Sequence, residues 1–249
     1  MKNLIGLVGL SMVVACGGAQ TQSAEHGSAG GSEHASGSEH ASGHAHPGHG
    51  GQGMHHDFSD VERFAAMFDD PERDEWQRPD EVVALLQLTP GAIVADLGAG
   101  TGYFESYLSS AVGDAGRVLA LDVEPAMVAH MQTRFQDARL SNIEAGVVAG
   151  DDPGLEPDSV DRILIVDTWH HLDDRGAYAA KLAQALRPGG FVLVVDFTQE
   201  SPHGPPVARR LLATAVAQEL QAGGLAARVI EDESLPYQYV VRADKTAAP

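Results

Sequence analysis

The chain has 249 residues, 43% hydrophobic and 20% charged, with 28 Gly, 13 Pro and a single Cys, enough for one ordinary globular domain with extensions. Its 16 Lys and Arg against 35 Asp and Glu leave a net charge of -19. That balance repels phosphate backbones and anionic headgroups, and no basic patch offsets it, so nucleic acid is not an expected partner. One cysteine excludes an intrachain disulfide framework and any Cys-cluster zinc site.

The N-terminus opens with Met1-Lys2 and an apolar run from Leu4 to Val14. The run is shorter than the roughly 20 residues a membrane span needs and fits a secretory h-region. It ends Val13-Val14-Ala15-Cys16, which resembles the lipobox of bacterial lipoproteins. That resemblance implies removal of residues 1–15 and lipidation of Cys16. With Gly17 next rather than Asp, it also implies an outer-membrane address in the envelope, with a lipid anchor as the membrane contact. The cytoplasm is the location if the leader is not used.

Residues 16–57 read as a tether of Gly, Ser, Ala, His and Glu, with Ser32-Glu-His-Ala-Ser-Gly37 repeated directly as Ser38-Glu-His-Ala-Ser-Gly43. With nothing apolar to bury, such a segment is expected to be disordered. Eight of the 12 histidines fall here: His26, His34, His40, His44, His46, His49, His55 and His56. Two readings stand, a soluble spacer and a weak binder of zinc, copper or nickel.

The globular part is placed at 58–244, with 245–249 as a tail. Val61, Phe64, Ala65 and Phe68 have helical spacing, and a second helix starts near Pro79-Asp80 and runs through Val82, Leu85 and Leu86. Strands are expected at Ala92–Asp96, Arg117–Leu121, Asn142–Val148, Val160–Val166 and Phe191–Val195. A helix starts at Glu124-Pro125 with Met127, Met131 and Phe135 as its apolar stripe. Another is capped by Asp173 or Asp174 and runs through Tyr178, Leu182 and Leu186 to a stop at Arg187-Pro-Gly-Gly190. A last helix is expected at 207–221, before the runs Ala226–Ile230 and Tyr237–Val241. Near-continuous apolar strands between helices predict an α/β, Rossmann-like doubly wound fold. Its seven-stranded sheet is mostly parallel and closes with a C-terminal antiparallel hairpin.

The first strand-to-helix turn reads Asp96-Leu-Gly98-Ala99-Gly100-Thr-Gly102. Glycines there let the backbone turn sharply and a ligand approach closely, and the following helix points its N-terminal amides at the same place. Asp122 closes the second strand, where a carboxylate can accept both ribose hydroxyls. Loop and acid together resemble the class I S-adenosylmethionine-dependent methyltransferases, whose signature is E/D-x-G-x-G-x-G. Further stretches match that family. Gly150-Asp151-Asp152 is similar to the segment carrying the acid that receives the adenine amino group, with either aspartate eligible. Val160–Asp167 is similar to the fourth-strand motif beneath the cofactor methyl, and Leu186-Arg-Pro-Gly-Gly-Phe191 to the turn into strand five.

The resemblance implies S-adenosyl-L-methionine as cofactor. Its holders would be Asp96 near the methionine amino group, the loop Gly98, Ala99, Gly100 and Gly102, Asp122 at the ribose with Val123 beside it, Asp151 or Asp152, and Asp167. It implies methyl transfer to a small-molecule acceptor. Arsenite is disfavoured because enzymes that methylate it use several cysteines, and this domain has none. A protonated acceptor needs a base, and Asp167-Thr-Trp-His-His171 at the carboxyl end of strand four offers His170 or His171. Two adjacent histidines on an extended segment cannot both face one pocket. Trp169 either walls the pocket or packs, and His203 is a lesser candidate base. The 58–88 segment either folds over the cofactor, with Trp76 and Arg78 at its bend, or packs on the sheet edge. Two other readings compete: a non-catalytic cofactor- or metal-binding lipoprotein on the same fold, and a nicotinamide-dependent oxidoreductase. The latter is disfavoured because the third glycine comes one residue early for G-x-G-x-x-G.

Overall fold

The computed structural model describes residues 61–231 and 233–246, so the leader, Cys16 and the histidine-rich tether lie outside the described residues. Three helices come first, α1 (Val61–Phe68), α2 (Arg73–Gln77) and α3 (Pro79–Leu85). Then strands and helices alternate: β1 (Ile93–Leu97), α4 (Glu105–Val112), β2 (Arg117–Asp122), α5 (Pro125–Asp137), β3 (Ile143–Val147), β4 (Val160–Val166), α6 (Arg175–Ala185), β5 (Leu186–Phe197), α7 (Ala213–Ala222), β6 (Leu225–Ile230) and β7 (Gln238–Lys245).

The sheet order is β3-β2-β1-β4-β5-β7-β6. β1 to β5 pair in parallel, and β7 inserts antiparallel between β5 and β6. The expected seven-stranded, mostly parallel sheet with an antiparallel C-terminal pair is therefore present. Parallel strands need both faces covered. One face packs Ala95, Ile163, Val192 and Val194 against Tyr178 and Leu182 of α6 and Val216 and Leu220 of α7. The other packs Val94, Val118, Leu164 and Leu193 against Val82 of α3 and Leu108 of α4. There α5 adds Val128, Met131 and Phe135, the last two from the predicted stripe. Asp174, not Asp173, caps α6, its carboxylate accepting from Ala177 N at 3.0 Å.

Several boundaries differ from expectation for local reasons. Helix α6 stops at Ala185 rather than running through Leu186, which is extended at φ -66, ψ 138. Arg187 precedes Pro188, which disfavours helix there, so the chain turns directly into β5. The register along β4 jumps from Val160–Leu186 to Arg162–Phe191, so the Pro-Gly-Gly stretch is absorbed as a bulge. The helix expected at 207–221 is a single 3-10 turn at Val207–Arg209 followed by α7 from Ala213. An unforeseen short helix, α2, lies between the two expected near the N-terminus. Arg78, in the left-handed region at φ 49, ψ 59, separates it from α3.

Leu182 is fully buried, whereas Leu212 is 59% exposed. Leu182→Ala is expected to cost about 2–5 kcal/mol in urea unfolding, and Leu212→Ala less than about 0.5 kcal/mol.

Candidate active site

Parallel strands end along a common rim, and β1 sits where the connections switch direction, with β2 on one side and β4 on the other. Ligands of such sheets bind at this rim. An aspartate stands at or beside the carboxyl end of four neighbouring strands: Asp96 on β1, Asp122 on β2, Asp167 just after β4 and Asp196 on β5.

The glycine loop is shaped by its neighbours. Gly98 N and Ala99 N donate to Leu121 O at 2.8 and 3.1 Å, which folds the loop over the end of β2. At Gly98 (φ 79) a Cβ would stand 2.3 Å from Thr168 Oγ1, so the loop after β4 packs directly on the loop after β1. At Gly102 (φ 84) a Cβ would meet the Phe135 ring at 2.9 Å. Two of the glycines thus serve close packing within the protein as well as the turn itself.

Asp122 fastens the loop from below. Its Oδ2 accepts from Gly100 N at 2.8 Å and its Oδ1 from Glu124 N at 2.9 Å. Val123, beside it, is 54% exposed, a large apolar surface left open at the rim. Asp151 and Asp152 are both exposed, in the turn after β3. The Asp152 carboxylate is committed, accepting from Gly154 N at 2.9 Å and Lys181 Nζ at 2.9 Å, and the first of these bonds chiefly holds it below its ordinary range.

Between the loop and the β4 end lies a group of buried acids. Asp96 is 3% exposed and Glu105, at the start of α4, is fully buried. Burial pushes Asp96 up to about 7, with Asp122 adding repulsion, and burial beside Asp96 holds Glu105 well above the carboxylate range. Asp167 sits in the left-handed region at φ 53. It too is pushed up to about 7, first by burial and then by Asp196. The Arg73 guanidinium of α2 reaches this group, with Nη2 at 4.0 Å from Asp167 Oδ2 and Cζ at 4.0 Å from the centre of the Tyr103 ring. A buried polar chain supports it: Arg73 Nη2 donates to Gln77 Oε1 (3.1 Å), Gln77 Nε2 to Gln238 Oε1 (2.7 Å), and Gln238 Nε2 to Asp167 Oδ1 (2.7 Å). Next to α1, Asp69 accepts from Thr101 Oγ1 at 3.0 Å and Arg134 Nη1 at 2.8 Å. The segment 61–78 therefore straps across the glycine loop rather than packing on the sheet edge alone, with Arg73 and Asp69 as its fastenings. Trp76 lies within it, and Arg78 is the exposed joint to α3.

After β4 the chain forms a 3-10 turn, not an extended segment, and this separates the paired histidines. His170 turns inward, its Nδ1 3.0 Å from both oxygens of Asp196, with side chains 6% and 3% exposed. His171 is exposed, its ring 4.2 Å from that of His170. Facing a carboxylate, Nδ1 of His170 carries the proton, which leaves Nε2 as the basic nitrogen. Trp169 packs: it is fully buried and donates Nε1–H to Glu219 Oε2 at 2.8 Å. His203 stacks on Trp76 at 4.5 Å. Its loop is gathered by Arg210, whose guanidinium donates to the carbonyls of Thr198, Gln199, Ser201, His203 and Pro205 at 2.7–3.2 Å.

Sequence reasoning missed Arg73, Glu105 and Asp196. Asp196 left a trace, an acid interrupting the apolar run Phe191–Phe197. Glu105 reads as an ordinary first-turn acid, and Arg73 gives no local signal. The residues present fit an adenosyl sulfonium: buried carboxyl groups for its positive charges, an acid and loop amides for its ribose, and open apolar surface at Val123.

Residues 94–190 match the methyltransferase-domain family. The ubiquinone/menaquinone biosynthesis C-methyltransferase UbiE of Shewanella frigidimarina is 32% identical over 124 residues, 49% of each chain. The chain thus spans about half the length of the curated relatives it matches. The crystal structure of a SAM-dependent methyltransferase from Aquifex aeolicus superposes with TM-score 0.70 at 28% identity, over 77% of this chain and 100% of that one. A TehB-like SAM-dependent methyltransferase from Corynebacterium glutamicum superposes at 0.59 with 16% identity, over 76% and 99%, a likeness of fold alone.

Gly98→Ala forces apart the loops after β1 and β4 and is expected to weaken S-adenosylhomocysteine binding at least tenfold by calorimetry. Gly150→Ala, where a Cβ meets nothing within 4 Å, is expected to change it by less than threefold.

Proposed function

We infer that the chain is an S-adenosylmethionine-dependent methyltransferase of the class I fold and that its acceptor is a small molecule. The observation that carries this reading is the Asp122–Gly100 bond at 2.8 Å, which joins the glycine loop to the β2 acid inside a matched methyltransferase domain. When bound, the cofactor supplies a methyl group activated by its sulfonium; the protein supplies binding and alignment, worth about 7–11 kcal/mol in well-oriented systems.

Asp122 would take the ribose hydroxyls, and Val123 would lie against the adenine. Asp151 or Asp152 would receive the adenine amino group. Asp96 would meet the ammonium, and Arg73 the methionine carboxylate. Asp167, tied to Arg73 through Gln238 and Gln77, would flank the transferring methyl. His170 is the better base of the pair, because Asp196 fixes its ring and leaves Nε2 to accept a proton from the acceptor, a role worth typically 10²–10⁴-fold. Neither the nicotinamide reading nor the non-catalytic one gains support from the comparisons.

Equilibrium dialysis of the chain with S-adenosylhomocysteine and with NADH tests the reading. Binding of the first alone is expected, weakened at least tenfold by Asp122→Ala; binding of NADH alone overturns it. A metabolite panel with methyl-labelled S-adenosylmethionine would then identify the acceptor. The lipobox-like Val13–Cys16 stretch supports an envelope location, for which labelled palmitate incorporation is expected, lost in Cys16→Ala.

A further inference from the structure

We propose that Glu105 is a permanently protonated partner that donates a hydrogen bond to Asp96, and that seating the cofactor's ammonium on Asp96 expels a proton, so that cofactor capture is coupled to proton release. The proposal rests on the functional reading above and assigns Glu105 a part in it.

Glu105 is fully buried, and neither of its carboxyl oxygens meets an N–H or O–H donor among the described residues. The group that acts on it most strongly is the Asp96 carboxyl, itself buried. Two ionised carboxylates only accept, so they cannot bond to each other. At least one proton therefore resides in the pair. It resides on Glu105, the more deeply buried member, and its O–H points at Asp96. The start of α4 favours a charged Glu105 only weakly, against the far larger cost of burying a second anion without a cation.

Charged groups from several elements surround the pair. Asp122 of β2 adds repulsion to Asp96, and Arg73 of α2 attracts it. Arg134 of α5 acts on Glu105 from farther off but is already held by Asp69. Asp167, beyond β4, shares Arg73. A single guanidinium thus serves Asp96 and Asp167 together, and Asp96 takes up a second proton near neutrality. It is pushed up to about 7, mainly by burial. The sign follows directly. A cation stabilises the ionised form of Asp96, so binding at or below pH 7 drives its proton to solvent, and affinity rises with pH until Asp96 is ionised beforehand.

The experiment is titration calorimetry of the full chain with S-adenosylhomocysteine, which retains the ammonium, in phosphate and imidazole buffers of equal pH. Heats are expected to differ between buffers by the release of about half to one proton at pH 6.5 and by almost none at pH 8.5. Kd at pH 6 should be about tenfold weaker than at pH 8. Glu105→Gln, which keeps a donor and no charge, should preserve both affinity and proton release within about threefold. Glu105→Leu, which removes the donor, should move the midpoint of the pH dependence upward. Equal heats in both buffers overturn the proposal while leaving the cofactor reading intact. So does loss of binding in a Glu105→Gln protein whose circular dichroism and Tm are unchanged, or loss of proton release in Asp167→Asn with binding retained. Absence of binding by the unaltered chain overturns the functional reading and this proposal with it.

Discussion

Ending four adjacent parallel strands in aspartate takes carboxyl groups out of water, and the fold must return that solvation by other means. Each acid is met differently. Asp122 is met by backbone amides, Asp196 by an imidazole, Asp167 by the amide of Gln238, and Asp96, in the pairing proposed above, by the hydroxyl of a neutral acid. Arg73 contributes to two of them from outside the sheet. The strap, the glycine loop and the turn after β4 are arranged around this requirement. Removing any one would leave a buried acid with too few partners. The rim is accordingly less stable than a purely structural one would be.

The glycine loop shows how packing and binding share residues. A reading from the loop alone assigns its glycines to ligand approach. In the structure, the backbone at Gly98 lies against Thr168 and that at Gly102 against Phe135. This draws the loops after β1 and β4 together and seats the first turn on α5. Close contact within the protein thereby fixes where the loop amides point, and the amides in turn fix Asp122.

The sheet was legible because buried parallel strands leave near-continuous apolar runs, and Val160–Val166 could be bounded to the residue. Ends were less legible where two local rules compete. Leu186 continues the apolar stripe of α6, but the proline two residues on imposes extended backbone, and the backbone wins. The loop acids and Asp122 stood out because their spacing is unusual; Glu105 did not, because an acid in the first turn of a helix is ordinary. Its significance comes from burial, which depends on α4 lying over β1, a contact no local pattern encodes. The histidine pair was legible as a pair but not as a division of labour. A 3-10 turn, rather than an extended one, sends one ring to Asp196 and the other to solvent.

Arg210 gathers five carbonyl oxygens of one loop under a single guanidinium. Guanidinium stays charged across the whole range in which buried carboxyls gain and lose protons. The clamp on the 198–210 loop is thus insensitive to acidity while the buried carboxyls of the rim are not. A change in acidity can retune the charge at the strand ends without loosening this loop.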